Sequence, residues 1–311
     1  MAYQNVGTPR FYVNTLEWLS SVGVQSFDKI VHTLPVDMEN VWTDTAISEI
    51  DQYFGNEKNF AALLGHTIDR GFTIGNTSAS DTQVNYPGWS SDPPYNGFTL
   101  WTFTGIPANL VQFYGGGGYA PNIGSIVIGN YYDMPHSPDL KLTMEREMDG
   151  VKKIRTKGGA DLVNHKYTKP PKWGGLGAWE LSTSPTGYPP ALSRSGRRVW
   201  NLSFSYLQDS DMFPMLSSLN PYESTSATEE VYSDNPETNW HIGETLLDDN
   251  TFYSQVIHKT NGGQLPFIFQ PDNNNNNPDG FAICKFDMDS FEFSQVANGV
   301  YNIKLKIREV W

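Results

Sequence analysis

The chain has 311 residues, 42 of them aromatic (17 Phe, 16 Tyr and 9 Trp), with 28 Gly, 20 Pro and only 18 % charged residues. Such a composition excludes a helical bundle or coiled coil and describes a turn-rich β protein long enough to bury its own core. The net charge of −13 excludes a protein that coats bulk nucleic acid by charge alone, so nucleic acid is not an expected partner.

In chain order, short apolar or alternating runs bounded by Gly, Pro, Asn and Asp predict strands at Arg10 to Asn14, Asn59 to Leu64, Gly97 to Thr104 and Gly124 to Ile128. Further strands are predicted at Lys141 to Glu145, Val199 to Tyr206, Leu265 to Gln270, Phe281 to Asp287 and Val300 to Val310. Helix is expected in only two places. Thr43 to Phe54 carries Asp44 as a cap, with Ile47, Ile50, Tyr53 and Phe54 on one stripe, and Ser210 to Leu219 adds a short turn. The last run alternates apolar and polar residues, so one face packs on a core while Lys304, Lys306 and Arg308 face solvent or a neighbour, as on a strand at a sheet edge. Gly115 to Gly118 and Asn273 to Asn277 read as surface loops.

No apolar stretch approaches the roughly 20 residues that a spanning helix needs, and Met1 to Gly7 lacks a basic region followed by an apolar run. Neither a membrane span nor secretion is therefore expected. Cys284 has no thiol partner and lies in the apolar run Phe281 to Phe286; it is expected to pack as a buried strand residue in a chain folded in a reducing compartment.

Charge is segregated. Between Lys141 and Arg198 lie 12 of the 21 basic residues against five acidic ones, a local +7 that leaves −20 for the rest. From Val199 to His258 there is no Lys or Arg, while ten acidic residues accumulate between Asp209 and Asp249. This pattern suits docking of identical copies, basic belt against acidic flank. The candidate interface residues are Lys152, Lys153, Arg155, Arg197 and Arg198 in the belt, with Lys304, Lys306 and Arg308 on the last strand.

Motifs for chemistry are missing. The six histidines are dispersed without HExxH spacing, and there is no nucleophile elbow, Walker loop or strand-coupled G-x-G-x-x-G. The Asp272 to Gly280 loop is oxygen-rich, but Asn277 stands where a calcium loop needs Gly, and Ile283 where it needs Glu. No enzyme activity, metal or cofactor is expected. Aromatic residues near amides and carboxylates offer a different chemistry: Trp89, Tyr95, Trp101, Tyr114 and Tyr119 are candidate glycan-binding residues, because ring faces stack on sugar C–H groups.

Three segments carry a resemblance. Gly196 to Phe204, Pro266 to Asp272 and the terminal Ile307-Arg308-Glu309-Val310-Trp311 together resemble virion structural proteins of tailed bacteriophages, in the style of distal-tail and baseplate components. Thr8 to Asn14 and Gly124 to Leu140 look like the same group. Asn59 to His66 and Ile123 to Gly129 resemble core strands of discoidin-like, galactose-binding jelly rolls, with His66 expected as a hydrogen-bonded structural residue.

The expected fold is all-β: two β-sandwich domains, a jelly roll plus a larger β domain, with few short helices. Residues 1–34 form an N-terminal arm that packs on either domain, 35–137 a discoidin-like jelly roll, and 138–311 a β-sandwich-like virion assembly domain. The resemblance implies a structural protein of the virion, in the tail or baseplate, assembled in the host cytoplasm with copies of itself and other virion proteins. A carbohydrate-binding module for host glycans and a capsid or neck protein are the alternatives.

Overall fold

The computed structural model describes residues 7–24, 31–34, 46–48, 58–66, 72–76, 98–104, 110–115, 123–147, 151–165, 172–173, 176–177, 197–214, 249–276 and 280–310. These residues are mostly β-strand with a few short helices, so the fold class is all-β. The strands of the first half are β1 (Arg10–Asn14), β2 (Ala46–Ser48), β3 (Lys58–Leu64), β4 (Phe72–Asn76), β5 (Phe98–Thr104), β6 (Leu110–Gly115) and β7 (Ser125–Asp133). After them come β8 (Thr143–Glu147), β9 (Val151–Arg155), β10 (Asp161–His165), β11 (Lys172–Trp173), β12 (Leu176–Gly177) and β13 (Arg197–Gln208). The last four are β14 (Phe267–Gln270), β15 (Ala282–Phe286), β16 (Phe293–Ala297) and β17 (Val300–Glu309).

Ten strands form one antiparallel sheet in the order β5-β3-β7-β1-β14-β15-β17-β13-β8, with β16 on β17. The remaining strands form two two-stranded sheets, β9–β10 and β11–β12, and a three-stranded sheet, β2-β6-β4. The large sheet crosses both boundaries drawn from the sequence, at 34/35 and 137/138. Strand β1, from the expected arm, pairs on one side with β7 and on the other with β14. Residues 134–142 likewise stay on the body of the protein: Met134 N–H donates to the Pro9 carbonyl, Asp139 N–H to that of Ser203, and the Ser205 hydroxyl to the Asp139 carboxylate at 2.8 Å.

Burial explains why the central strands read as nearly continuous apolar runs. Phe11 and Val13 of β1, Phe267 and Phe269 of β14 and Cys284 and Phe286 of β15 face one core, which the same face of β13 and β17 extends. Their alternates Tyr12, Ile268 and Ile283 face a second core with Phe60, Leu64 and Val127. Strand β17 is covered on one face only: Tyr301, Ile303, Leu305 and Ile307 are buried, while Lys304 and Lys306 are exposed. It is not the edge strand its alternation suggested, because β13 flanks it on one side and β15 and β16 on the other.

Helix α1 (Thr15–Ser21) follows β1 directly and was not foreseen. Asn14 ends the strand and caps the helix, its side-chain oxygen accepting from the Glu17 N–H. In the second expected helix, α2 covers Asp209–Met212, Phe213 and Pro214 are not helical, and residues 215–219 lie outside the described residues. Within the first, residues 46–48 are strand β2, and the rest lies outside the described residues. A π-helical turn at Tyr253–Ile257 and a 3₁₀ turn at His258–Thr260 place Phe252 and Val256 against the first core.

A buried polar seam ties these parts together. The fully buried Lys259 ammonium donates to Asn130 Oδ1 at 3.0 Å and Gln255 Oε1 at 2.9 Å, and Asn130 Nδ2 donates to Asn59 Oδ1 at 2.8 Å. Next to it, Asn14 Nδ2 donates to the Val31 carbonyl, and Thr33 donates to Glu17 Oε2 through both its N–H and its hydroxyl. Gly129 sits in this seam because a Cβ there would meet the Val13 carbonyl and the Thr15 nitrogen, both backbone atoms.

Gly129→Ala is therefore expected to push β1 off β7 and to cost at least about 2 kcal/mol in urea unfolding, far more than an exposed Gly→Ala change. A pH effect follows from His258, whose ring meets the Trp18 edge. Burial, then the Lys259 charge, lowers its folded pKa below the ordinary 6.5. The unfolded chain then binds the proton more readily, so stability is full above 6.5 and falls as pH drops through that value. The urea midpoint of the wild type should fall over this range, and that of His258→Gln should fall less.

Candidate functional site

The candidate residues fall into two groups. Of the aromatic set, Trp89, Tyr95 and Tyr119 lie outside the described residues. Tyr114 stands on β6 in register with Thr73. Trp101 is a correction: it sits on β5 opposite Ala61 and is 3 % exposed, so its ring is core and no sugar reaches it. His66 is the structural residue expected, buried and 2.7 Å from the Thr99 hydroxyl.

Among the basic residues, Arg198 is a second correction. It is buried at the start of β13, where its backbone N–H, Nε and Nη2 donate to the carboxylate of Glu309 and Nη2 also reaches the Phe281 carbonyl. Its guanidinium carbon lies 5.2 Å from the Trp200 ring centroid. Desolvating a cation requires this complete set of partners, so Arg198 holds the sheet together and presents nothing to another molecule. Arg197 is half-buried, in register with Glu147. Lys306 pairs with Asp287 at 2.6 Å, and that hydrogen bond, then the carboxylate charge, raises its pKa. Arg308 donates to Glu147 Oε2 through Nε at 2.9 Å and Nη2 at 2.6 Å. Lys304 is exposed on the same face.

The other basic residues of the belt occupy a distinct environment. Among the described strands, β9 and β10 pair only with each other, and every residue from Lys153 to Val163 except Thr156 is exposed. The turn is built by Thr156, which takes the Ala160 N–H on its hydroxyl and donates its own N–H to the Ala160 carbonyl, with Gly159 at φ +83°. The register sorts the hairpin by face. Lys153, Arg155, Asp161 and Val163 share one side, where Asp161 takes Lys153 at 2.7 Å and Arg155 at 3.5 Å. Ile154 and Leu162 stand directly opposite each other on the other side, and Lys152 pairs with Asn164 further along the register.

Ile154 is 62 % exposed, Leu162 61 % and Val163 42 %. A two-stranded hairpin is marginal in water, and three exposed branched apolar residues on one are out of place unless something covers them. Charge alone marks this segment in the sequence; Ile154 and Leu162 are the further signal, obscured because three of the five β9 residues are Lys or Arg and the run does not read as a strand.

The described part of the asparagine run is structural. Gln270 Nε2 donates to the Asn275 carbonyl, Asn273 Nδ2 to Asp133, and the Asn274 N–H to Asp272, so the asparagine run is pinned to β14 and β7. Among the described residues, no three His, Cys, Asp or Glu side chains gather as a metal site would need. Cys284 is buried, and burial, then the Glu309 charge, raises its thiol pKa well above the ordinary value, which makes it a poor nucleophile. The chain matches no family model, and no curated protein or solved structure is similar enough to it to transfer a fold or a function.

Because the Arg198–Glu309 pair is buried, Arg198→Met should leave Glu309 uncompensated and cost about 3–5 kcal/mol in chemical denaturation. Arg198→Met combined with Glu309→Leu should be more stable than Arg198→Met alone, which a double-mutant cycle with Glu309→Leu would show.

Proposed function

We propose that this protein is a structural component of a tailed-phage virion, in its tail or baseplate, that assembles with copies of itself and other virion proteins in the host cytoplasm. The observation that carries the reading is the β9–β10 hairpin, which exposes Ile154, Leu162 and Val163 within a cationic frame, while Arg198 and Arg308 of the large sheet are paired with Glu309 and Glu147. A surface of that kind suits a neighbour's face, and the hairpin carries no group for chemistry. The chain's net −13 and the local basic belt favour contacts between proteins over contacts with nucleic acid. The virion assignment rests on the sequence resemblance in Gly196 to Phe204, Pro266 to Asp272 and the terminal strand. The glycan-binding alternative loses Trp101, which is core.

Purified protein is expected to sediment as a discrete oligomer at low salt and to dissociate as ionic strength rises, since exposed charges are screened beyond about 8–10 Å at ordinary ionic strength. A chain that stays monomeric at high concentration, alone and with virion neighbours, would overturn the proposal. In purified particles, a copy number that is a small ring multiple supports the tail or baseplate position, whereas hundreds of copies would place it in the capsid.

A further inference from the structure

The exposed large apolar side chains of the described residues lie in three places. Ile154, Leu162 and Val163 are on the hairpin, Val22 and Val24 follow α1, and Leu140, Tyr206 and Val296 form a third group. Leu140, Tyr206 and Val296 are far apart in sequence, but residues beside them in the chain are linked across neighbouring strands. Asp139, beside Leu140, takes the Ser205 hydroxyl; Tyr206 donates its N–H to Asn302 Oδ1 at 3.0 Å; and Asn302 stands opposite Ser294 of β16. Tyr206 is 75 % exposed with φ +63°, at a bulge where β13 breaks register with β17. A bulky residue held in the left-handed region turns an aromatic ring outward, a local cost that a covered interface would offset.

We infer that this row is the acceptor for the β9–β10 hairpin of a second copy, the hairpin laying its Ile154–Leu162 face along Tyr206 and Val296. The inference rests on the assembly reading above. Charge selects the occupant. Residues 151–165 contain four Lys or Arg and one Asp, whereas residues 287–299, which border the acceptor, contain Asp287, Asp289 and Glu292 and no basic residue. Asp287 is engaged by Lys306, while Asp289 and Glu292 are exposed. Lys304, two residues along β17 from Asn302, is exposed on the same face. Two hairpins stacked face to face would bring like charges together, so a symmetric hairpin–hairpin contact is disfavoured. A contact from hairpin to acceptor is heterologous, and repeated from copy to copy it generates a ring or a stack.

The test uses the full chain in two charge-reversed forms. Lys152→Glu with Lys157→Glu reverses the hairpin and leaves the Lys153–Asp161–Arg155 cluster intact; Asp289→Lys with Glu292→Lys reverses the acceptor. Each form alone is expected to self-associate about tenfold more weakly than wild type at low salt, and an equimolar mixture to recover association, because each hairpin then meets an opposite charge. In parallel, a chain carrying Leu162→Cys is mixed with a mass-tagged chain carrying Val296→Cys and oxidised; Cys284 is buried, so a disulfide-linked heterodimer, distinguished by mass from the homodimers that either variant forms alone, reports the 162–296 pair. Recovery in the mixture together with the cross-link supports the inference. If the hairpin-reversed form dissociates but neither recovery nor cross-link appears, the acceptor is overturned and the assembly function stands. A wild type that never associates overturns both.

Discussion

Strand β1 is the constraint on which the rest of the structure depends. It has five residues, pairs antiparallel on both sides and buries side chains on both faces, with Phe11 and Val13 in one core and Tyr12 in the other. Among the described strands it provides the pairing between β7 and β14, and so between strands formed by residues 58–133 and those formed by 143–309. Each fully buried aromatic of this size contributes about 1.5–3 kcal/mol by removal from water, which makes a short strand a strong joint. The polar seam beside it sets the register. Lys259, Asn130, Asn59 and Gln255 satisfy one another only when β3, β7 and the 253–260 turns are all in place, since an unpartnered buried ammonium is costly.

That dependence explains what was legible in the sequence. Nine strands were readable because apolar alternation or a short apolar run reports local burial, and all nine are present with ends moved by a few residues; β7 extends to Asp133, five residues beyond its expected end. What the runs do not report is which strands pair. The partner of Tyr12 on β14 is Ile268, and that of Phe11 on β7 is Tyr132, separations that leave no trace in local pattern. A terminal segment with one good strand therefore reads as an arm, and two prolines at 135 and 138 read as a linker, although both segments are packed on the sheet. Helix α1 escaped because seven residues hold too few turns to show a 3.6-residue period.

The charged residues teach the same lesson more sharply. Counting isolates a basic belt, but a count does not separate a cation that folds the chain from one that meets a partner. Arg198 and Lys153 belong to the same belt; Arg198 is buried with Glu309, 111 residues away, and Lys153 is 64 % exposed on the hairpin beside Asp161. Arg308 and Lys306 read as an outward polar face and each closes on an acid supplied by another part of the sheet or the turn after it.

Within the described residues, Arg198, Lys306 and Arg308 are thus paired inside the fold, and the hairpin leaves Ile154, Leu162 and Val163 exposed. These two facts bear on each other. A sheet whose arginines are neutralised in place is stable without a partner, so an appended hairpin is free to keep exposed a surface that costs solubility when nothing covers it. The edge strand β8, which precedes the hairpin in the chain, is likewise open to pairing on one side among the described residues. A neighbour's folded face, which has both apolar side chains and backbone to offer, therefore suits these surfaces better than a small ligand.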